Sequence, residues 1–352
     1  MFKPRSIFML PTLLNITANT LKYKFFKTRV PIVLSISITS RCNLKCTYCY
    51  SEEDNRSAKD VSPEEIFKTI DAFYNLGTRV VMLQGGEPLI HKNLDDIVSY
   101  IKTKKMYCSI TTNSINFEKH INTLRKLDQV QLSIDGNKEL TDKNRGNGVY
   151  DSLLNAIKLC HENRIPFHLH TVITKDTTTE NTLVPLKELA NKYKTYLNFC
   201  IPAPTGSAKD KNLATNKQIY EFYKVILEWK RKGMPTNNSD LGIIDVMRWG
   251  ESHSYDSFIS SSNNAQKKQY SKCVMGNLIC WLDSGSMLHP CAIRFGQKGF
   301  AYSIKEFGVK GAWERLKNIP CHYCANSTEF NNLFNLKIKS VINSLKFVFN
   351  RH

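Results

Sequence analysis

Between residues 31 and 205, six short runs rich in β-branched residues alternate with stretches of helical pattern. The runs are 32–38 (IVLSISI), 79–84 (RVVMLQ), 107–112 (YCSITT), 130–134 (VQLSI), 167–173 (FHLHTVI) and 195–201 (TYLNFCI). Helices are expected between them at 62–77, 93–104, 117–127, 149–163 and 181–193. The first of these opens on Ser62 as N-cap and Pro63 in the first turn, carries early acids, and closes on Gly77. Strands joined by helical crossovers must run parallel, so the pattern predicts an α/β fold, either a barrel or a doubly wound sheet. After residue 205 the alternation is lost. A helix at 216–232 leads into SSSNNAQKKQ, a linker or surface loop, and cysteines then recur from Cys273 to Cys324.

Cys42, Cys46 and Cys49 form a CxxxCxxC triple just after the first run, at the C-terminal rim where a parallel barrel places its chemistry. Three thiolates suit an iron–sulfur cube whose fourth iron is open to another ligand. They also suit a zinc ion with three protein ligands, although catalytic zinc generally takes histidines or carboxylates. Eleven cysteines are an odd number, and no secretory signal with a small-residue cleavage site is visible. Both points predict a reducing, cytoplasmic setting rather than a disulfide framework.

CNLKCTYCY resembles the signature of the radical S-adenosylmethionine (SAM) superfamily, with Tyr48 as the aromatic before the third cysteine. Further segments follow in that family's order. GGEP (Gly85, Gly86, Glu87, Pro88) comes after the second run, and TTNS (with Thr112 and Asn113) after the third, Ser114 replacing the family's glycine. LSIDGNKELTDKNRG supplies Ser133, Asp135 and Arg145 after the fourth. Taken singly, each segment is weak: a Gly-Gly turn, an Asp-Gly turn, a surface arginine. Jointly they imply a partial (β/α)6 TIM-type barrel binding one 4Fe–4S cluster through Cys42, Cys46 and Cys49, with SAM on the open iron. By the same resemblance GGEP meets the methionyl amino group, and the later residues lie near the ribose and carboxylate, where Arg145 offers a planar fork. The implied activity is reductive cleavage of SAM to a 5′-deoxyadenosyl radical that takes hydrogen from a substrate. A flavodoxin or ferredoxin would supply the electron.

Cys273, Cys291, Cys321 and Cys324 form a second set, ending in a CxxC pair. They can complete a cluster or a zinc site. The set resembles the Twitch domain, a shorter relative of the SPASM domain, and so implies one auxiliary 4Fe–4S cluster in a small C-terminal cysteine-rich domain. In this resemblance the family's turn glycine falls on Ser286, with Gly285 one step early. Cys108, Cys160, Cys200 and Cys280 are expected to be buried free thiols, Cys280 being the nearest to the second set.

The net charge is +18, and its excess lies at the chain ends. Residues 1–51 hold eight basic residues and no acid, and four more follow Glu329 without an acid, together twelve of the eighteen. Solvated tails are one reading and contact with an anionic membrane another; no basic run with stacking aromatics predicts nucleic-acid binding. Residues 6–26 and 332–349 are apolar, basic and acid-free. The second places Phe334, Ile338, Val341, Ile342, Leu345 and Phe349 at helical spacing, either to dock on the protein or to lie on lipid. The expected organisation is a basic extension (1–30), a SAM core (31–205), a connecting helix and linker (206–269), a Twitch/SPASM-like unit (270–330) and a basic C-terminal helix (331–352). About thirty residues precede the first run, too few for the leader-binding module of many peptide maturases. The expectation is therefore a lipid or small-molecule substrate, ahead of a ribosomal-peptide maturase and of a non-catalytic metal scaffold. No spacing singles out a catalytic acid, base or hydrogen donor.

Overall fold

The computed structural model describes residues 6–49, 60–202, 212–252, 259–260, 270–295, 299–318, 323–324 and 328–349. Helix α1 (Ser6–Phe26) precedes the alternating core. That core runs β1 (Val33–Ser37), α2 (Pro63–Leu76), β2 (Val80–Gln84), α3 (Leu94–Thr103), β3 (Tyr107–Thr112), α4 (Ile121–Leu124), β4 (Gln129–Ser133), α5 (Lys138–Arg145), α6 (Val149–Glu162), β5 (Phe167–Val172), α7 (Glu180–Tyr193) and β6 (Tyr196–Cys200). After it come α8 (Asn216–Arg231), α9 (Asp240–Ser252), β7 (Ile259–Ser260), β8 (Ile279–Leu282), β9 (Met287–His289), β10 (Tyr302–Ser303), α10 (Ile304–Arg315), β11 (Tyr323–Cys324), α11 (Thr328–Phe334) and α12 (Ile338–Phe349).

Strands β1 to β6 lie side by side in chain order, all parallel, with Val33 opposite Val80 and Val80 opposite Tyr107. Their period of two sorts the side chains. Leu34, Ile36, Val81, Leu83, Ile110, Val130, Leu132, Leu169 and Leu197 are buried in the main apolar core with α2, α3, α6 and α7. Ser35, Met82, Thr111, Gln131, His170 and Asn198, one from each of the six strands, border a single cavity instead. A sheet whose six strands all face one cavity is curved round it, which is the partial barrel expected from the sequence.

The N-cap of α2 is as expected: the Ser62 hydroxyl accepts from the Glu65 N–H, and Gly77 closes the helix in the left-handed region. Two expectations differ. The helix expected at 117–127 is a 3-10 turn (Phe117–His120) followed by α4, because His120 leaves helical geometry at φ −116°. The stripe at 332–349 is broken between α11 and α12, where Leu336 turns to φ 60° and the Lys337 N–H returns to the Asn332 carbonyl. Helix α5 was not foreseen. Its sequence signal is Asn137, whose side chain caps the Leu140 N–H.

The cysteine-rich segment continues the same sheet. β8 pairs in parallel with β1, Val33 opposite Ile279, and β9 and β10 extend the edge antiparallel. The β8–β9 hairpin turns at Ser286, buried and at φ 68°, where the Met287 N–H donates to Asp283 Oδ1 (2.8 Å). The turn is thus made at Ser286 itself, one step after Gly285.

Candidate functional site

Two rim loops are laced together by backbone. The Gly86 N–H donates to the Thr39 carbonyl and the Glu87 N–H to the Arg41 carbonyl, each at 2.9 Å. This brings GGEP against the strand-to-cysteine turn so closely that a Cβ on Gly86 would stand 2.1 Å from Arg41 O. The glycine pair is thus needed to seat the cysteine loop, whatever else its backbone binds. Arg41 is held in turn by an ion pair with Asp60, which also accepts from Thr39 Oγ1 (2.6 Å).

Glu87 is buried with its carboxylate turned into the rim. Oε1 accepts from the Leu89 N–H (3.0 Å) and Thr112 Oγ1 (2.7 Å), and Oε2 from the Asn113 N–H (2.7 Å). It therefore ties the end of β2 to the end of β3. Burial pushes its pKa up to about 7, and those three donors oppose the rise.

Behind the cysteine loop, Asp135 Oδ1 accepts from Tyr48 Oη (2.6 Å) and Arg145 Nη2 (2.9 Å), and the guanidinium lies 5.6 Å from the centre of the Tyr48 ring. All three residues are buried. Burial works most strongly against the Arg145 charge, but Asp135, Tyr48 and Cys46 together outweigh burial and hold the guanidinium above its ordinary pKa. Burial, with the same carboxylate adding to it, pushes the Tyr48 phenol well up. Among the described residues, Asp135 Oδ2 and Arg145 Nε have no hydrogen-bond partner. The fork expected to face a ligand carboxylate is thus partly engaged by Asp135 through Nη2.

A cavity of about 430 Å³ collects the motifs. Cys42, Cys46 and Cys49 border it, as do Tyr48, Gly85, Gly86, Glu87, Thr112, Asn113, Ser133 and Arg145. Pro88, which starts a 3-10 turn, and Asp135 stand behind the wall. Cys273, Cys291 and Cys324 from the second set border the same cavity, and Cys321 lies outside the described residues. Cys108 and Cys160 are buried in the apolar core, and Cys280 is buried on β8 at the cavity edge. Cys200 departs from expectation: it is half-buried, borders the cavity, and its Sγ is 3.3 Å from His170 Nε2.

The sequence reading missed the inward residues of β4 to β6. Gln131 Oε1 accepts from Asn198 Nδ2 (3.3 Å) and meets His168 Nε2 (2.8 Å), while Gln131 Nε2 donates to Thr111 Oγ1 (3.2 Å). Together with Thr111, Gln131, His170, Asn198 and Cys200 border the cavity. Their signal was present as polar residues recurring every second position, in VQLSI, FHLHTVI and TYLNFCI.

The donor set fits an iron–sulfur group. Cys42, Cys46 and Cys49 are thiols at one cavity mouth, and the Leu44 N–H points to Cys42 Sγ at 3.4 Å, as suits a sulfur carrying charge. Among the described residues no three His, Cys, Asp or Glu side chains converge on a point for a single metal ion. Burial raises the Cys46 thiol to about 11, so a bound cation is what would hold it as thiolate. Arg145, whose Nε has no partner among the described residues, and the Gly85–Gly86 rim border the same cavity as the thiols.

Comparison with known proteins agrees. The Radical SAM superfamily model matches residues 36–184. The Fe-coproporphyrin III synthase of Methanosarcina barkeri is 34% identical over 157 residues, 43% of this chain and 39% of that protein. A GTP 3′,8-cyclase of Clostridium perfringens is 31% identical over 199 residues, 54% of this chain and 61% of that protein. The chain thus spans between two fifths and three fifths of these relatives. In fold, it resembles Streptococcus suis SuiB bound to precursor peptide SuiA, with a TM-score of 0.66 and 18% identity over 88% of this chain and 70% of that one.

Proposed function

We propose that this chain, whose residues 36–184 match the Radical SAM superfamily model, is an iron–sulfur enzyme that cleaves SAM reductively and abstracts hydrogen from a small molecule. The observation that carries this reading is the convergence of Cys42, Cys46, Cys49, the Gly85–Glu87 rim, Arg145 and three downstream cysteines on one cavity. When bound, a three-thiolate 4Fe–4S cluster with SAM supplies, on one-electron reduction, a 5′-deoxyadenosyl radical able to attack a C–H bond.

The protein's own part is binding, orientation and exclusion of water. Cys42, Cys46 and Cys49 hold the cluster, Tyr48 and Arg145 shape the SAM side of the cavity, and Gly85, Gly86, Thr112, Asn113 and Ser133 form its rim. Gln131, His170, Asn198 and Cys200 face the substrate. Cys273, Cys291 and Cys324, with Cys321, hold an auxiliary 4Fe–4S cluster that serves electron transfer or structure. A flavodoxin or ferredoxin delivers the electron in a reducing cytoplasm.

The small-molecule reading is supported by the names of the two relatives, a cyclase of GTP and a coproporphyrin synthase. A ribosomal-peptide or protein maturase is the second reading, supported by the fold likeness to a protein crystallised with a precursor peptide. A metal scaffold without catalysis is the third. Anaerobic reconstitution separates the enzyme readings from it: about eight irons per chain are expected, with 5′-deoxyadenosine released by dithionite and SAM. Replacing Cys42, Cys46 and Cys49 by alanine should leave about half the iron and no cleavage. Fully iron-loaded protein that releases no 5′-deoxyadenosine would overturn the proposal.

A further inference from the structure

Most of the large apolar side chains exposed among the described residues sit on two helices. Among the described residues nine such side chains are exposed, and seven belong to α1 (Leu14, Leu21, Phe25, Phe26) and α12 (Ile338, Ile342, Leu345). Phe26 is 79% exposed, Ile338 75% and Phe25 71%. An ordinary surface helix turns its apolar stripe to the core; these two do the reverse.

At about 100° per residue, Thr12, Ile16, Asn19 and Tyr23 share one side of α1, with Leu14, Leu21 and Phe25 on the opposite side. The inner side is tied down by polar contacts. Thr12 Oγ1 donates to the Lys105 carbonyl (3.0 Å), Asn19 and Thr20 are buried, and Tyr23 packs with Phe334 and Val274. Helix α12 is inverted in the same way. Ser340 meets Ser239 (2.7 Å), and Asn343 both donates to the Asn237 carbonyl (2.8 Å) and accepts from Lys230 (2.7 Å). Ile338, Ile342 and Leu345 line the other side. The helices adjoin where Lys24 Nζ donates to the Asn335 carbonyl (3.4 Å), one turn before α12.

We propose that the outward faces of α1 and α12 form a peripheral docking surface for an anionic lipid bilayer. Charge selects this occupant. Lys22 and Lys24 flank the α1 stripe, Lys339 and Lys346 lie beside that of α12, and neither terminal segment contains an acid. A second copy docked through this face would bring lysines against lysines, whereas anionic headgroups neutralise them while the apolar residues enter the acyl boundary. The surface lies on the bilayer without crossing it, since among the described residues no helix is long and apolar enough to span one. The platform is also fixed to the catalytic body: the Val274 N–H donates to Asn331 Oδ1 (3.0 Å) and Asn335 Nδ2 to the Lys272 carbonyl (2.8 Å), on both sides of Cys273.

Co-sedimentation of the full chain with phosphatidylcholine vesicles, with and without phosphatidylglycerol, tests this surface. Anionic vesicles should bind at least about tenfold more tightly. Phe25→Ser combined with Ile342→Ser, and separately Lys22, Lys24, Lys339 and Lys346 each changed to Gln, should each cost about tenfold of that binding. Thermal melting and SAM cleavage should be unchanged in both variants. Equal binding to both vesicle types would overturn the proposal. So would vesicle binding that both variants retain, or a dimer in sedimentation velocity that the Phe25→Ser/Ile342→Ser variant breaks while vesicles stay unbound. Because SAM cleavage is read separately, failure here leaves the enzymatic proposal standing.

Discussion

Tyr48 Oη donates a 2.6 Å hydrogen bond to Asp135 Oδ1, joining the cysteine loop to the end of β4 across 87 residues of chain. Arg145 Nη2 reaches the same oxygen at 2.9 Å. The aromatic residue of the cysteine motif is thus an anchor, and Asp135 holds both it and the arginine that borders the cavity.

Removing the members of this trio should have unequal effects. Tyr48→Phe deletes one hydrogen bond to a carboxylate that keeps Arg145, and should cost about 1.5–3 kcal/mol. Asp135→Ala leaves a buried guanidinium without its counter-charge and should cost about 3–5 kcal/mol. Denaturant unfolding of both variants measures the order. Equal losses would show that the phenol and the guanidinium do not depend on the shared oxygen.

Gly86→Ala should unseat the first cluster. Its Cβ would lie 2.1 Å from Arg41 O, a backbone atom one residue before Cys42 that cannot swing aside. Iron per chain should fall to about half, with the second site still loaded, and stability should drop by about 2–4 kcal/mol. Iron analysis with melting curves reads both effects.

Two serines occupy left-handed backbone, Ser114 at φ 73° and Ser286 at φ 68°. Both are buried, and among the described residues the Ser114 hydroxyl has no hydrogen-bond partner. Ser114→Gly should therefore stabilise the protein by about 1 kcal/mol, and Ser286→Gly by a similar amount, as relief of steric strain at Cβ. Ser114→Val, with a branched Cβ in the same conformation, should destabilise. A lower melting temperature for both glycine variants would contradict the strain argument.

Glu87 should give the protein a pH signature. Its folded pKa is raised to about 7 by burial, above the ordinary value of 4.5. The folded state therefore keeps a proton that the unfolded chain releases. Its contribution to stability falls as pH rises from the ordinary glutamate value to about 7, and is flat above that. Unfolding free energies of the wild type and Glu87→Gln, followed through this window, should differ in slope. Parallel curves would place the Glu87 pKa near that of an exposed glutamate.

The alternation of strands and helices was legible residue by residue because it depends on local periods and caps. All six core strands fall within about two residues of their expected ends. The break at His120 and the turn at Leu336 were not legible. Each is a single residue leaving helical φ, and hydrophobic spacing carries no mark of that. Of the ten residues expected round SAM, eight border the cavity, because strand ends in a parallel barrel share one rim.

The sequence alone determined the cysteine triple, the motif order, the α/β class and the acid-free basic ends. These are properties of neighbouring residues and of composition. Tertiary structure decided which oxygen Tyr48 and Arg145 share, that Cys273, Cys291 and Cys324 meet Cys42, Cys46 and Cys49 at one cavity, and that β8 joins β1. It also decided which side of α12 faces inward. A helical period reveals two faces without saying which one docks, and here Ser340 and Asn343 find polar partners on the body. Ile338, Ile342 and Leu345 are thereby left outward, and only packing against residues a hundred positions away could fix that choice.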